Sequence, residues 1–220
     1  MQTVVLSGQQ GRAVAAEQLR SAIRGGEFLP AERLVETELA ERFGVTRSAL
    51  RAALGDLATE GMIEHVPNRG ARVRVVTVDE AVVITEVRRE LEALCAAKAT
   101  ELASDADLDA LGVLGERMQD AVAAGDPVRY SELNKELHER IRVLSGQPVA
   151  QELLGRLNGQ LVRHRFRLAL RPERPSQSIH EHLAIIDALR ARDADAARAA
   201  VQAHLTSVIG ALRATPEQPL

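Results

Sequence analysis

Between Glu36 and Val75 the chain changes period three times, and each change falls on a residue able to enforce it. Leu34, Leu39, Ala40 and Phe43 recur at helical spacing, so Glu36–Phe43 reads as a first helix with one buried stripe. Gly44 ends it, because glycine takes left-handed backbone angles at little cost. Thr46 then caps a second helix whose buried face is Leu50, Leu54 and Leu57. Arg47, Ser48 and Arg51 stand in its first turns, at an end where the peptide dipoles are positive and open to phosphate or base edges. Gly61-Met62-Ile63 starts a strand, Pro67-Asn68-Arg69-Gly70 is turn chemistry, and Ala71–Val75 alternates like a returning strand. Arg69 stands at the hairpin tip, placed for a backbone phosphate or the minor groove.

Helix, turn, capped helix and basic hairpin together make a winged helix-turn-helix, a module that lays one short helix in the major groove of DNA. An arginine on a short helix is ordinarily just a solvated face, and Arg42 is read that way; the ordered series argues otherwise for Arg47 and Arg51. The charge distribution agrees. Residues 1–78 hold 10 Arg and 9 acids, while residues 79–220 hold 18 Lys and Arg against 22 acids. The net charge of −3 therefore hides a reading head that is locally positive.

The segment resembles the DNA-binding domain of the GntR family of bacterial transcription regulators. The resemblance is carried by Gly25-Gly26, Leu29-Pro30, Arg33-Leu34, Glu38-Leu39-Ala40, Gly44-Val45-Thr46-Arg47, Leu50-Arg51, Leu54, Leu57, Glu60-Gly61 and Pro67–Gly70. It implies DNA contacts from Arg33, Thr46, Arg47, Ser48, Arg51, Arg69 and Gly70. Ala31 stands where many members carry glycine, a replacement that the FadR-type subgroup accepts.

From Thr77 onward every segment reads as helix. Thr77, Ser104, Asp126 (before Pro127), Pro148, Ser176 or Ser178, and Asp193 open six of them, ending near Leu102, Gly125, Gly146, Leu170, Arg192 and Ala214. Aromatics are only 2% of a chain that is 45% hydrophobic, so its core is helix against helix. The expected fold is mainly α: a winged helix-turn-helix domain over residues 1–76, then an antiparallel six-helix bundle over 77–215.

Asn134 and His138 lie four apart on one helix and share a face. His182 and His204 lie eleven residues before and after Asp193. A chain reversal there puts both at one height, roughly 16 Å from the turn. Packing does not require that register, but three imidazoles converging on an ion in a bundle do. His180 should point away from them, and His65 and His164 have no convergent partner. Arg88 or Arg89, on the first bundle helix, would be a bidentate anchor for a carboxylate beside the ion. The run Arg163, Arg165, Arg167, Arg171 and Arg174 wraps its helix and reads as a solvated face.

Residues 79–214 also resemble the FCD ligand-binding domain of FadR-type regulators, on Val87–Glu92, Leu133–His138 and Glu181–Leu189 through Asp193 to His204. The resemblance implies a divalent metal (Zn, Ni or Mn) held by Asn134, His138, His182 and His204. The family pattern more often has Asp at position 134, and an uncharged amide oxygen there weakens the grip on a hard cation.

The expectation is a DNA-binding regulator, a repressor, working as a homodimer on double-stranded operator DNA and answering to a small carboxylate bound at the metal. A metal-sensing regulator is the alternative, and a metal-dependent hydrolytic enzyme a weaker one, since no Glu is placed as general base. Cys95 is the single cysteine, read as a buried structural thiol. One cysteine, no signal-like start and no long apolar run point to the cytoplasm and away from any membrane; the resemblance implies the nucleoid of a bacterium.

Overall fold

The structure is a computed structural model describing residues 5–67, 70–169, 171 and 173–214. The chain splits into two compact units, one of residues 1–76 with 158–163 and one of residues 77–157 with 164–220.

In the first unit, α1 (Gly8–Arg24) precedes β1 (Arg33–Leu34), α2 (Glu36–Phe43), α3 (Arg47–Thr59), β2 (Ile63–Val66) and β3 (Gly70–Val73). Gly44 ends α2 with φ 64°, and the Thr46 hydroxyl accepts from the Ala49 amide at 3.3 Å to start α3. Leu50, Leu54 and Leu57 are buried on one side of α3, packed with Leu39, Phe43, Leu34 and Ile63. Truncating any of those leucines to alanine costs about 2–5 kcal/mol. The strands order β1-β3-β2, all antiparallel, with Arg33 opposite Arg72 and Ile63 opposite Val73.

Two features were not foreseen. Helix α1 supplies Ala15, Leu19, Ala22 and Ile23 to the core, a helical spacing that its alanines leave only weakly apolar. Leu6 bridges to Val45, accepting from the Thr46 amide and donating to the Gly44 carbonyl, both at 2.8 Å, so it pins the turn between α2 and α3. Gly11 lies over that bridge, where a Cβ would meet the Leu6 carbonyl oxygen at 2.7 Å.

The rest of the chain forms α4 (Val78–Leu102), α5 (Asp105–Ala123), α6 (Pro127–Leu144), α7 (Pro148–Gln160), α8 (Val162–Ala169), α9 (Arg174–Arg190) and α10 (Ala194–Arg213), which make the second unit apart from the end of α7 and the start of α8 at residues 158–163. The expected fourth helix is thus interrupted at Leu161. Helix α9 starts earlier than expected, because Pro175 fills a first-turn position where no backbone N–H is needed. The caps act as anticipated: Thr77, Ser104, Asp126 and Asp193 each accept from the amide three residues on. α10 packs along α4 and α9, and α5 lies against α6 and α9. Their shared core includes Leu111, Met118, Leu133, Leu137, Ile185 and Leu205.

Candidate metal centre and nucleic-acid interface

Three helices of the bundle carry polar side chains four residues apart on faces that are otherwise core. On α6 these are Tyr130, Asn134 and His138; on α9, Arg174, Ser178 and His182; on α4, Arg88 and Glu92. α10 adds His204. The reversal through Asp193 brings His182 and His204 to one level, with ring centroids 4.4 Å apart. His138 meets them from α6 at 5.4 and 5.2 Å. One ring nitrogen of each histidine lies within 4.8 Å of the others, and all three residues are buried.

The opposite nitrogen of every ring is tied down. His138 Nδ1 is 2.9 Å from Glu92 Oε2, His182 Nδ1 is 2.8 Å from the Tyr130 hydroxyl, and His204 Nδ1 is 2.7 Å from Glu181 Oε2. These partners are themselves held. Arg88 donates to Glu92 Oε1 from Nε at 3.1 Å and from Nη2 at 2.7 Å. Arg174 reaches Glu181 at 3.2 Å and the Ser207 hydroxyl at 2.8 Å, and Tyr130 shares a 2.7 Å bond with Ser178. With Nδ1 engaged outward, Nε2 is the inward face, and His138 Nε2 stands 3.4 Å from His182 Nε2. Two nitrogens on a tetrahedral zinc ion with ordinary bonds would be about 3.3–3.4 Å apart. Asn134, one turn before His138, has a buried Oδ1 with no hydrogen-bond partner. An orphaned acceptor is costly unless something binds it. Three inward imidazole nitrogens and an unclaimed amide oxygen fit a divalent cation of borderline softness.

Electrostatics keep the ligands in the form a cation needs. Burial pushes the His138 ring down to about 4, and burial plus the neighbouring His204 and His138 pushes His182 well below the usual imidazole range. Both are therefore neutral near pH 7. Burial alone would raise the Glu92 carboxyl, but the Arg88 guanidinium and His138 outweigh it and hold it well below the usual carboxylate range. Burial chiefly pushes the Tyr130 phenol up to about 12, so it stays a neutral hydroxyl.

Two of the arginine readings need correction. Arg88 is buried, with two of its donors spent on Glu92, so it supports a histidine through that carboxylate; Arg89 pairs instead with Glu90 at 2.9 Å. Arg174 is not on a solvated face but buried, because Glu181 and Ser207 supply the acceptors its guanidinium needs. The side chains of Arg163 and Arg165 lie outside the described residues. His65 and His180 are exposed and His164 is buried.

On the first unit, Arg47, Ser48 and Arg51 are exposed at the start of α3, and Thr46 is half-buried with its hydroxyl 3.1 Å from that of Ser48. Arg51 is paired with Glu36 at 2.6 Å. Arg33 is exposed on β1, and Gly70 opens β3 with φ 82°. Asn68 and Arg69 lie outside the described residues. Among the described residues no helix is long and apolar enough to cross a membrane.

Comparison with known proteins matches residues 12–73 to the bacterial regulatory proteins of the gntR family and residues 83–207 to the FCD domain. The Nta operon transcriptional regulator of Aminobacter aminovorans is 31% identical over 180 residues, covering 81% of this chain and 83% of its own. The repressor NanR of Citrobacter rodentium is 29% identical, covering 92% and 85%. Among solved structures, E. coli McbR/YncC superposes with a TM-score of 0.79 at 24% identity, over 92% of this chain and 97% of that one. A GntR regulator from Rhodococcus sp. RHA1 gives 0.76 at 22%, over 95% and 100%. The gntR family model and the two curated relatives are described as regulators of transcription, not as enzymes. The chain therefore belongs to the GntR family of bacterial transcription regulators, with an FCD domain as its second half.

Proposed function

We propose that this regulator is a repressor whose affinity for operator DNA is set by a small carboxylate bound at a divalent metal in the bundle. The observation that carries the reading is the cluster itself: His138, His182 and His204 turned inward, each held by an outer partner. Such outer bonds fix the tautomer and aim of a ligating ring, and a bundle core has no packing reason to collect them. His138, His182, His204 and Asn134 would hold the ion, which supplies a Lewis-acidic anchor for a carboxylate oxygen. The chain's part is to hold three neutral rings in place, to keep Glu92 and Glu181 ionised, and to exclude bulk water with the core around Leu137 and Leu205.

DNA is read by Arg47, Ser48 and Arg51 at the N-terminus of α3, with Thr46, Arg33, Arg69 and Gly70 around them. A homodimer suits this chemistry, because two heads on half-sites one turn apart multiply a modest single-head affinity. The effector acts only if it binds two placements of the heads unequally, and the joint at Thr77 is where that difference would be taken up. Such a protein works in the cytoplasm, on the nucleoid. NanR and RspR carry the name of repressor, which favours that sign of control.

The test is a gel shift on DNA fragments that the purified protein selects from a random pool, with zinc, nickel or manganese present. A panel of small carboxylates should contain at least one that changes affinity tenfold or more in the metal-loaded protein and not in the metal-stripped one. No response from any member overturns the effector reading.

A further inference from the structure

The charges around the histidine cluster cancel, and that cancellation constrains what enters. The charged side chains in direct contact with the cluster's rings or their partners are Glu92 at His138, Glu181 at His204, and the arginines that pair with those acids, Arg88 and Arg174. Glu92 is neutralised by Arg88 and Glu181 by Arg174, each through a direct ion pair. The imidazoles are neutral as ligands, and Tyr130 and Ser178 bring hydroxyls. Asn134, one turn before His138 on α6, brings an amide oxygen without charge, buried and unpartnered. The described charges that bear on the rings therefore cancel in pairs, and against them a divalent ion placed there keeps its full double charge. A buried, uncompensated charge is expensive, so the missing counter-charge must come with the ligand.

We infer that Asn134 tunes the site to a dianionic ligand, a small dicarboxylate, in preference to a monocarboxylate. The inference rests on the metal reading proposed above. An aspartate at position 134 would supply one negative charge from the protein, leaving the cavity balanced by a single carboxylate. The amide leaves two charges to be matched. Asn134 is thus a specificity-determining residue: it sets the charge of the effector while the histidines set its place.

Two donors on one ligand chelate an ion whatever the residue at 134, so a bare preference for dicarboxylates is not enough. The comparison that isolates Asn134 is between variants. The full-length protein is loaded with zinc, its metal content measured by mass spectrometry after gel filtration, and malonate and acetate titrated by calorimetry. In the wild type malonate should bind far more tightly than acetate. Asn134→Asp should narrow that ratio about tenfold or more, because one unit of buried charge has moved from ligand to protein. Asn134→Ala removes a ligand oxygen without adding charge: it should hold zinc more weakly, but in the zinc-loaded fraction the malonate-to-acetate ratio should stay at the wild-type value. Equal ratios in the wild type and Asn134→Asp overturn the inference while leaving the metal reading in place. A wild type that retains no zinc, nickel or manganese sinks both.

Discussion

His182 approaches His138 nitrogen to nitrogen at 3.4 Å while the far side of each ring is held, by Tyr130 at 2.8 Å and by Glu92 at 2.9 Å. A lone N–H···N bond would satisfy that pair and leave no reason for His204 to join from a third helix, with its own carboxylate partner behind it. A shared cation accounts for all three. His138→Ala, His182→Ala and His204→Ala should each lower bound metal from about one ion per chain to near zero after dialysis, read by mass spectrometry. The same variants should lose the rise in melting temperature that added zinc gives the wild type. One ion per chain retained in any two of them would remove the site.

The outer partners carry a finer expectation. Glu181→Gln leaves an acceptor for His204 Nδ1 but takes away the charge, and Tyr130→Phe deletes the hydroxyl that fixes His182. Each should weaken metal binding about 10–100-fold without abolishing it. Competition against a chromogenic chelator measures this. An unchanged affinity in both would mean that the hydroxyl and carboxylate only fill space.

The histidine register was legible because helical geometry is stiff: with the turn placed at Asp193, the 1.5 Å rise puts His182 and His204 at one height. The first-unit core was legible for a similar reason, since Gly44 and the Thr46 cap divide two periodic stripes. What was not legible was which polar groups turn inward. Arg88 and Arg89 are neighbours in the chain, yet a rotation of about 100° separates a buried ion pair from an exposed one. Glu92 and Glu181 carry no sign in the sequence because an acid on a helix is usually solvated; the burial of Glu92 and half-burial of Glu181 follow from arginines that the sequence does not pair with them. Helix α1 was missed for a different cause, an alanine-rich stripe that is weakly apolar. Residues Leu6 and Arg33 form strand pairings only because β3 and Val45 lie opposite, which is tertiary information.

The buried imidazoles make the metal-stripped protein acid-sensitive. His138 titrates near 6.5 in the unfolded chain and about 4 in the folded one, and His182 is shifted in the same direction. With the folded value depressed, the unfolded state binds more protons as pH falls below about 6.5, so stability drops from there until the folded rings protonate near 4. His138 alone accounts for a loss on the order of 3 kcal/mol over that window. Urea melts in a chelator at pH 7.5, 6 and 5 should show the fall, and His138→Gln should flatten part of it. A flat profile would mean that water reaches the rings.

Ala31 has φ 67°, the left-handed region where a Cβ is strained, while its amide donates to the Val73 carbonyl at 2.9 Å and fixes the conformation. That geometry suits glycine, the residue that the family resemblance implies at this position. Ala31→Gly should stabilise the first unit by about 0.5–1 kcal/mol, the relief of strain exceeding the entropy gained by the unfolded chain. Chemical denaturation measures it, and a destabilised variant would place the strain elsewhere.

Arg47 and Arg51 both stand exposed at the start of α3, but Arg51 is paired with Glu36 and Arg47 with no described acid. If both meet phosphates, Arg47→Ala and Arg51→Ala should each reduce the slope of log affinity against log salt by about 1 on a random-sequence duplex. Removing Arg51 also frees Glu36 near the DNA, so Arg51→Ala should weaken binding more than Arg47→Ala, and Glu36→Gln should tighten the wild type. A base-reading arginine behaves differently: its loss would cost about 1–3 kcal/mol on a selected sequence and little on a random one. Fluorescence anisotropy on the two duplexes across a salt series separates these roles. Wild-type slopes and affinities in both alanine variants would show that α3 does not enter the groove by this end.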